Sequence, residues 1–135
     1  MYLVDTNVLS EARRGSAPAR DWLRSVDPDT VYLSVITLGE IMKGIALKQR
    51  TDPGAALALT QWLERLRHDH ADRILPIVDS IALQWGRLAA QRPRGMADAL
   101  IAATAAVHGK IVVTRNTVDF SEIGLLVINP WRLPA

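Results

Sequence analysis

Short apolar runs alternate with longer helical patterns along the chain, and this alternation predicts an α/β fold. Apolar strands are predicted at residues 2–4, 31–33, within 73–79, 110–114 and 125–129. Several of these runs are apolar at every position, which is typical of strands buried on both faces. The pattern therefore predicts a mainly parallel sheet with helices on each side, which is a three-layer α/β/α arrangement.

Apolar residues at helical spacing fill the segments between these strands. The pattern predicts helices at residues 8–14, 18–26, 36–48, 53–69, 81–90 and 97–108. Asp52 followed by Pro53 is a typical helix start, and Gly109 is a typical helix end. We find no repeat, linker or low-complexity segment, so residues 1–135 are expected to form a single domain.

The composition adds limits on what the protein can be. Hydrophobic residues make up 49% and charged residues 22% of the chain, which argues against disorder. No apolar run is long enough to span a bilayer, so no membrane partner is expected. The chain has no cysteine, which excludes disulfides and thiolate metal sites and suits a cytoplasmic protein. A net charge of +2 permits a nucleic-acid partner.

Four acidic residues stand near the predicted carboxyl ends of strands, which is where open α/β sheets place their sites. Asp5 follows the first strand directly, and Glu40 lies one or two turns into the helix after the second. Asp98 is the only charged residue of "GMADALIAATAAV", and Asp119 lies a few residues beyond "KIVVT". These four residues are the candidate catalytic and metal-binding residues.

Each acid also has a purely structural explanation. Asp5 and Asp119 could cap short helical segments, and Thr37 to Glu40 matches a capping box. Asp98 in a first helical turn would complement the helix dipole. Taken together these explanations are weaker, because a cap needs only a small polar group and a lone charge costs free energy in so apolar a helix.

Four converging carboxylates repel one another, and a hard divalent cation relieves this repulsion. Mg²⁺ or Mn²⁺ prefers oxygen ligands and is held by a few carboxylates together with several waters. Such an ion lowers the pKa of a bound water and screens a phosphodiester from the surrounding acids. The chemistry predicted from the four acids is metal-assisted hydrolysis of a phosphodiester.

The motifs that carry these acids resemble those of a known family. "LVDTNVLSE", "SVITLGEIMKGI", "MADALIAATA" and "VVTRNTVDF" are similar to the successive motifs of PIN-domain ribonucleases, and more narrowly to the toxins of VapBC-type toxin–antitoxin pairs. The resemblance implies an α/β/α sandwich with a Mg²⁺- or Mn²⁺-dependent endoribonuclease activity on RNA. It also implies a homodimer that is inhibited by a cognate antitoxin.

The resemblance also assigns positions. Asp5, Glu40 and Asp98 match the three most regular acids of the family, and Asp119 matches a fourth acidic position that varies. Asp5, Asp98 and Asp119 would hold the metal directly or through water, whereas Glu40 would bind metal or orient the attacking water. Further contacts to phosphate or to metal-bound water are expected from three polar residues, Thr6, Thr114 and Asn116.

Basic and aromatic residues supply further candidates. Five basic residues are candidates for RNA phosphate contacts, although solvated surface is the stronger explanation for each, namely Arg13, Arg14, Lys43, Arg94 and Arg115. Three tryptophans at apolar helix positions are interpreted as core or dimer contacts, namely Trp22, Trp62 and Trp85.

Two other classes of function were weighed. A phosphoacceptor or phosphatase domain would use Asp5 as nucleophile, but Asn7 stands where an Asp-x-Asp pattern needs a second acid. A non-catalytic PIN-like protein would bind RNA or act as a scaffold, yet binding an anion does not call for four acids.

Overall fold

The sheet predicted from the apolar runs is present and is parallel throughout. The structure is a computed structural model that describes residues 1–134, and their strands are β1 (Tyr2–Val4), β2 (Val31–Ser34), β3 (Ile74–Leu75), β4 (Ile111–Val113) and β5 (Val127–Ile128). The strands pair in the order β3-β2-β1-β4-β5, and every pairing is parallel. The prediction of a parallel sheet is confirmed.

Helices connect these strands, and all of them except the short last one lie where the apolar spacing predicts a helix. Their bounds are α1 (Thr6–Arg13), α2 (Ala17–Ser25), α3 (Val35–Gln49), α4 (Pro53–Asp69), α5 (Asp79–Gln91), α6 (Met96–His108) and α7 (Thr117–Ser121). Asp52 caps α4 as predicted, since its carboxylate accepts a hydrogen bond from the Ala55 amide. Gly109 ends α6 with a φ of +63°, a conformation that glycine adopts without strain.

Side chains alternate across the sheet and build a core on each face. Leu3 and Val112 face a cluster formed with α5, α6 and α7, whose largest buried side chain is Phe120. Val4 and Val113 face the opposite cluster, which α1, α2 and part of α4 complete. Helices therefore cover both faces, and the three-layer α/β/α fold class is confirmed.

The two central strands of the sheet determine where a site can form. The chain proceeds from β1 outward through β2 and β3 on one side, and from β4 to β5 on the other. The strand order therefore reverses between β1 and β4, and crevices at such points are the usual ligand sites of open α/β sheets. Asp5 and Thr114 directly follow these two strands.

Two of the structural explanations for the acids are wrong. The N-cap of α3 is Ser34, whose hydroxyl accepts from the Ile36 amide, so Thr37 and Glu40 do not form the capping box. Asp119 lies inside α7 rather than at its cap. Within residues 1–134, no helix has the length and apolar character needed to cross a membrane.

Candidate active site

Asp5 is the most enclosed of the four acids, with 3% of its surface exposed. Its amide donates to the Val113 carbonyl at 2.9 Å, which fixes the residue beside β4. One carboxylate oxygen accepts from the Thr6 amide at 2.8 Å, and the other accepts from the Thr114 hydroxyl at 2.8 Å and from the Asn7 amide at 3.2 Å. Asp5 is thus the N-cap of α1 and also a candidate site residue.

Glu40 reaches the same region from the second turn of α3. Its Oε1 accepts a hydrogen bond from the Thr6 hydroxyl at 2.7 Å, and the Thr6 hydroxyl also contacts that of buried Thr37 at 3.1 Å. Thr6 is therefore placed between Asp5 and Glu40, as expected of a polar residue in the site.

Asp98 and Asp119 meet through the side chain of Asn116. The Asn116 side-chain amide donates to Asp119 Oδ2 at 2.6 Å and lies 3.3 Å from Asp98 Oδ2. The Asn116 backbone amide donates to the Thr114 hydroxyl at 3.0 Å, and that hydroxyl binds Asp5. A chain of hydrogen bonds through Thr114 and Asn116 therefore joins Asp5, Asp98 and Asp119.

Asp119 also binds a cation, which the sequence did not indicate. Arg92, at the end of α5, donates from Nη2 to Asp119 Oδ1 at 2.9 Å, and it also binds Glu122. Each oxygen of Asp119 thus has a hydrogen-bond donor of its own. Arg92 holds the pKa of Asp119 below its ordinary value, and the hydrogen bond from Asn116 lowers it further.

Burial dominates the electrostatics of Asp5. Desolvation raises the pKa of Asp5 from 3.8 to about 6, although the hydrogen bonds from Thr114 and from the Thr6 amide oppose the rise. The negative charges of Asp98 and Glu40 raise this pKa as well. Asp5 therefore has two acidic neighbours and, within residues 1–134, no ion pair with a basic side chain.

The pKa of Asp98 is raised for the same reasons. Burial contributes most, followed by the charges of Asp119 and Glu40. The charges of Asp119 and Glu40 thus repel that of Asp98, and the charge of Asp98 repels that of Asp5. The structure therefore brings all four predicted acids into one electrostatic cluster. Thr6, Thr114 and Asn116, predicted as polar neighbours of the site, each donate a hydrogen bond to at least one of the acids.

The donor set of this cluster is suited to a hard divalent cation. All four acids offer oxygen ligands, which Mg²⁺ and Mn²⁺ prefer. Within residues 1–134, no three His, Cys, Asp or Glu side chains are arranged so that they could hold a metal ion by themselves. An ion that keeps several of its waters needs only one or two direct carboxylates, so the side chains fit a hydrated ion better than an all-protein cage.

Sequence reasoning missed two residues of this region. Asn7 connects the ends of the two central strands. Its side-chain nitrogen donates to Asp5 and Thr114, and its side-chain oxygen accepts from the Arg115 backbone amide at 3.2 Å. The sequence signal for Asn7 was its polar side chain, which lies two positions after the acid that follows β1. The pairing of Arg92 with Asp119 spans 27 positions and had no local signal.

Two of the five basic candidates, Arg14 and Arg94, are paired with acids, and Arg14 binds Glu11 at 2.8 Å. Arg94 is 5% exposed and binds the Leu88 carbonyl and Glu122, so it is not free to contact a phosphate. Arg13, Lys43 and Arg115 are exposed, and Arg115 lies over the Trp131 ring with 4.6 Å between its Cζ and the ring centroid. Exposed cations thus remain near the acids.

Comparisons with known proteins agree with this geometry. The family model described as PIN domain matches residues 2–125 of the chain. The plasmid stability protein StbB of Pseudomonas syringae pv. tomato is 39% identical, with 98% of this chain and 99% of StbB covered. The VapC ribonuclease Y4jK of Sinorhizobium fredii is 36% identical, with the same shares covered.

A third relative has a structural counterpart. The toxin FitB of Neisseria gonorrhoeae is 35% identical, with 98% of this chain and 99% of FitB covered. The crystal structure of FitAcB from Neisseria gonorrhoeae is similar to this fold with a TM-score of 0.89 and 35% identity, covering 98% of this chain and 100% of that one. Sequence and backbone similarity thus agree for this relative.

Proposed function

The chain belongs to the PIN domain family, and on that premise we propose that it is a metal-dependent endoribonuclease, the toxin of a toxin–antitoxin pair. Support comes from relatives that are named a VapC ribonuclease and a toxin and that match almost the whole chain. The reaction is hydrolysis of RNA phosphodiester bonds with Mg²⁺ or Mn²⁺. The protein acts in the cytoplasm as a homodimer.

The observation that carries this proposal is the environment of Asp5. Burial disfavours the charged form of a carboxylate, and the hydrogen bonds that Asp5 accepts only partly offset this cost. Its exposed fraction is 3%, and its charged neighbours Asp98 and Glu40 are acids themselves. A divalent cation at these oxygens would supply the missing positive charge.

The residues have distinct roles in the proposed reaction. Asp5 and Asp98 would hold the ion, which would supply a Lewis acid for the phosphate and for the attacking water. Glu40, oriented by the Thr6 hydroxyl, would bind the ion or accept a proton from that water. Because the Arg92 guanidinium already compensates the charge of Asp119, and Asn116 binds its other oxygen, Asp119 would act through water or by orienting Asn116.

The proposed partner is an antitoxin protein that inhibits the cluster. An arginine or lysine side chain inserted among Asp5, Glu40 and Asp98 would compensate their charge and exclude the metal. The alternative of a phosphoacceptor domain has less support, since Asp5 is almost fully buried and both of its oxygens accept hydrogen bonds.

Cleavage of total RNA by the purified, antitoxin-free protein tests the function. We expect cleavage with Mg²⁺ or Mn²⁺, no cleavage in EDTA, and products with a 5′-phosphate and a 3′-hydroxyl, because water rather than the RNA 2′-hydroxyl attacks phosphorus. Asp98→Asn serves as the inactive control. Cyclic 2′,3′-phosphate ends or full activity in EDTA would contradict the mechanism, and metal-independent RNA binding without cleavage would favour a non-catalytic role.

A further inference from the structure

A cleft between α1, α3 and α4 opens directly beside the acid cluster. Its volume is about 410 Å³, and Thr6 and Glu40 of the site form part of its wall. The volume lies within the range of about 300–1,000 Å³ that is usual for small-molecule and cofactor sites. A ligand in this cleft would therefore lie next to the bond that the acids are proposed to cut.

The far wall of the cleft carries positive charge. Arg13, Arg14 and Lys48 line it together with the indole of Trp62. Arg14 is bound to Glu11 at 2.8 Å, whereas Arg13 and Lys48 form no ion pair within residues 1–134. The uncompensated charge of Arg13 and Lys48 favours an anionic ligand.

An aromatic ring lies beside these charges. The Arg13 guanidinium lies over Trp62, with 5.6 Å between its Cζ and the ring centroid. Trp62 is half-buried and packs against the apolar clusters that contain Leu63 and Leu33, so its ring is held in place. Unstacked RNA bases stack on aromatic rings and on guanidinium planes.

We propose that this cleft binds the nucleotide of single-stranded RNA next to the scissile phosphate. The neighbouring backbone phosphate contacts Arg13 and Lys48, and the base stacks on the surface formed by Arg13 and Trp62. This assignment rests on the proposed ribonuclease function. RNA is favoured over a segment of a partner protein because unpaired cations, a stacking surface and the cutting site adjoin one another in a single cleft.

Binding of RNA without metal tests the cleft separately from catalysis. The probe is a short, fluorescently labelled, single-stranded oligoribonucleotide of mixed sequence, titrated with the full chain in EDTA over a series of salt concentrations. Arg13→Gln and Lys48→Gln should each weaken binding several-fold. Each should also reduce the slope of log K against log salt by about 0.7, the value for one lost phosphate contact on a single strand.

Matched variants separate charge loss from misfolding. Arg65→Gln removes an exposed charge on α4 outside the cleft and should leave both affinity and slope unchanged. Arg13→Lys combined with Lys48→Arg keeps both charges and should retain most of the salt slope. Trp62→Phe keeps an aromatic ring in place and should weaken binding less than Trp62→Leu.

The outcomes distinguish this proposal from the proposed function. Wild-type affinity and salt slope in the Arg13→Gln/Lys48→Gln double variant would overturn the cleft assignment, even if RNA cleavage with metal persists. Unchanged RNA binding together with lost binding of a partner protein would overturn it in favour of a protein-binding cleft. RNA binding that depends on both cations, in a protein that cleaves no RNA with Mg²⁺ or Mn²⁺, would support the cleft and contradict the function.

Discussion

Asp5 combines two roles that are usually separate. Its carboxylate caps α1 by accepting from the Thr6 amide, and it is also the most buried acid of the cluster. From the sequence, Asp5 could be explained either as a helix cap or as a site residue. The geometry shows that one carboxylate oxygen serves as the cap while the residue lies in the acid cluster. Because a neutral side chain could serve as the cap, the retained charge has a consequence for stability that can be measured.

Metal-free stability should fall as the pH rises through the range in which Asp5 titrates. The pKa of Asp5 is about 6 in the folded state, against an ordinary value of 3.8, so between these values the folded state binds more protons than the unfolded state. The Asp5 contribution to the free energy of unfolding should therefore fall by about 2 kcal/mol between about pH 3.8 and about pH 6, out of about 3 kcal/mol over the whole titration. Urea unfolding in EDTA across this range measures the effect.

Asp5→Asn is the control for this pH dependence. The asparagine oxygen still accepts from the Thr6 amide, so the variant keeps the cap but loses the titration. We expect the stability of the variant relative to wild type to increase with pH, and Mn²⁺ at pH 7 to stabilise only the wild type. Parallel stability curves for the two proteins would contradict the raised pKa of Asp5.

The Asp98→Asn variant should show whether Asp98 acts in the site or mainly stabilises α6. If Asp98 served mainly to stabilise α6, its replacement would cost about 1 kcal/mol. Since burial and the charges of Asp119 and Glu40 disfavour the Asp98 carboxylate, we expect unchanged or slightly higher stability in EDTA. RNA cleavage should be lost, and Mn²⁺ should raise the melting temperature less than in wild type. Loss of several degrees in EDTA with cleavage retained would identify Asp98 as structural.

At the level of elements, the sequence predicts strands and helices well because burial imposes its pattern locally. The apolar runs at residues 110–114 and 125–129 are β4 and β5, although each strand is shorter than its run. Helix starts were less accurate. The helix predicted from residue 8 begins at Thr6, because Asp5 caps it directly after β1 without an intervening loop.

The positions of the four acids were predictable, but their partners were not. Carboxyl ends of parallel strands meet at one sheet edge, so residues that follow such strands converge whatever their side chains. Which donor each acid receives depends on contacts between residues far apart in sequence. Thr6 reaches Glu40 across 34 positions, and Arg92 reaches Asp119 across 27.

The pairing of Arg92 with α7 should be detectable as an energetic coupling. Arg92 joins the end of α5 to Asp119, and both side chains are about one-third exposed, so we expect a small favourable coupling that weakens as salt is added. Urea unfolding of wild type, Arg92→Gln, Asp119→Asn and the double variant gives this coupling. Arg87→Gln, which breaks only a contact to Gln84 on the same helix, is the control. Additive effects of the two substitutions would show that the pair does not couple.

In the whole molecule, Glu40 stands between two clefts of different character. The basic cleft with Arg13 and Lys48 lies on one side of it. On the other side is a more apolar cleft of about 430 Å³, lined by Ile36, Met96 and Leu100 among others. The first suits a charged ligand, and the second suits an apolar protein surface.

We expect the apolar cleft between α3 and α6 to contribute to a homodimer interface. Met96 lines this cleft at the start of α6 and is 64% exposed, and exposed apolar side chains at a groove are typical of protein contacts. Light scattering of the antitoxin-free protein should give twice the 14.9 kDa mass of one chain. Met96→Glu should shift it towards the monomer, because a buried unpaired charge opposes association.

Leu57→Glu is the matched control for this experiment. Leu57 is 58% exposed on α4 and lines neither of the two clefts beside Glu40, so the same added charge there should leave the dimer intact. A wild-type protein that is monomeric at all concentrations, or a Met96→Glu variant that remains dimeric, would place the interface elsewhere or exclude it.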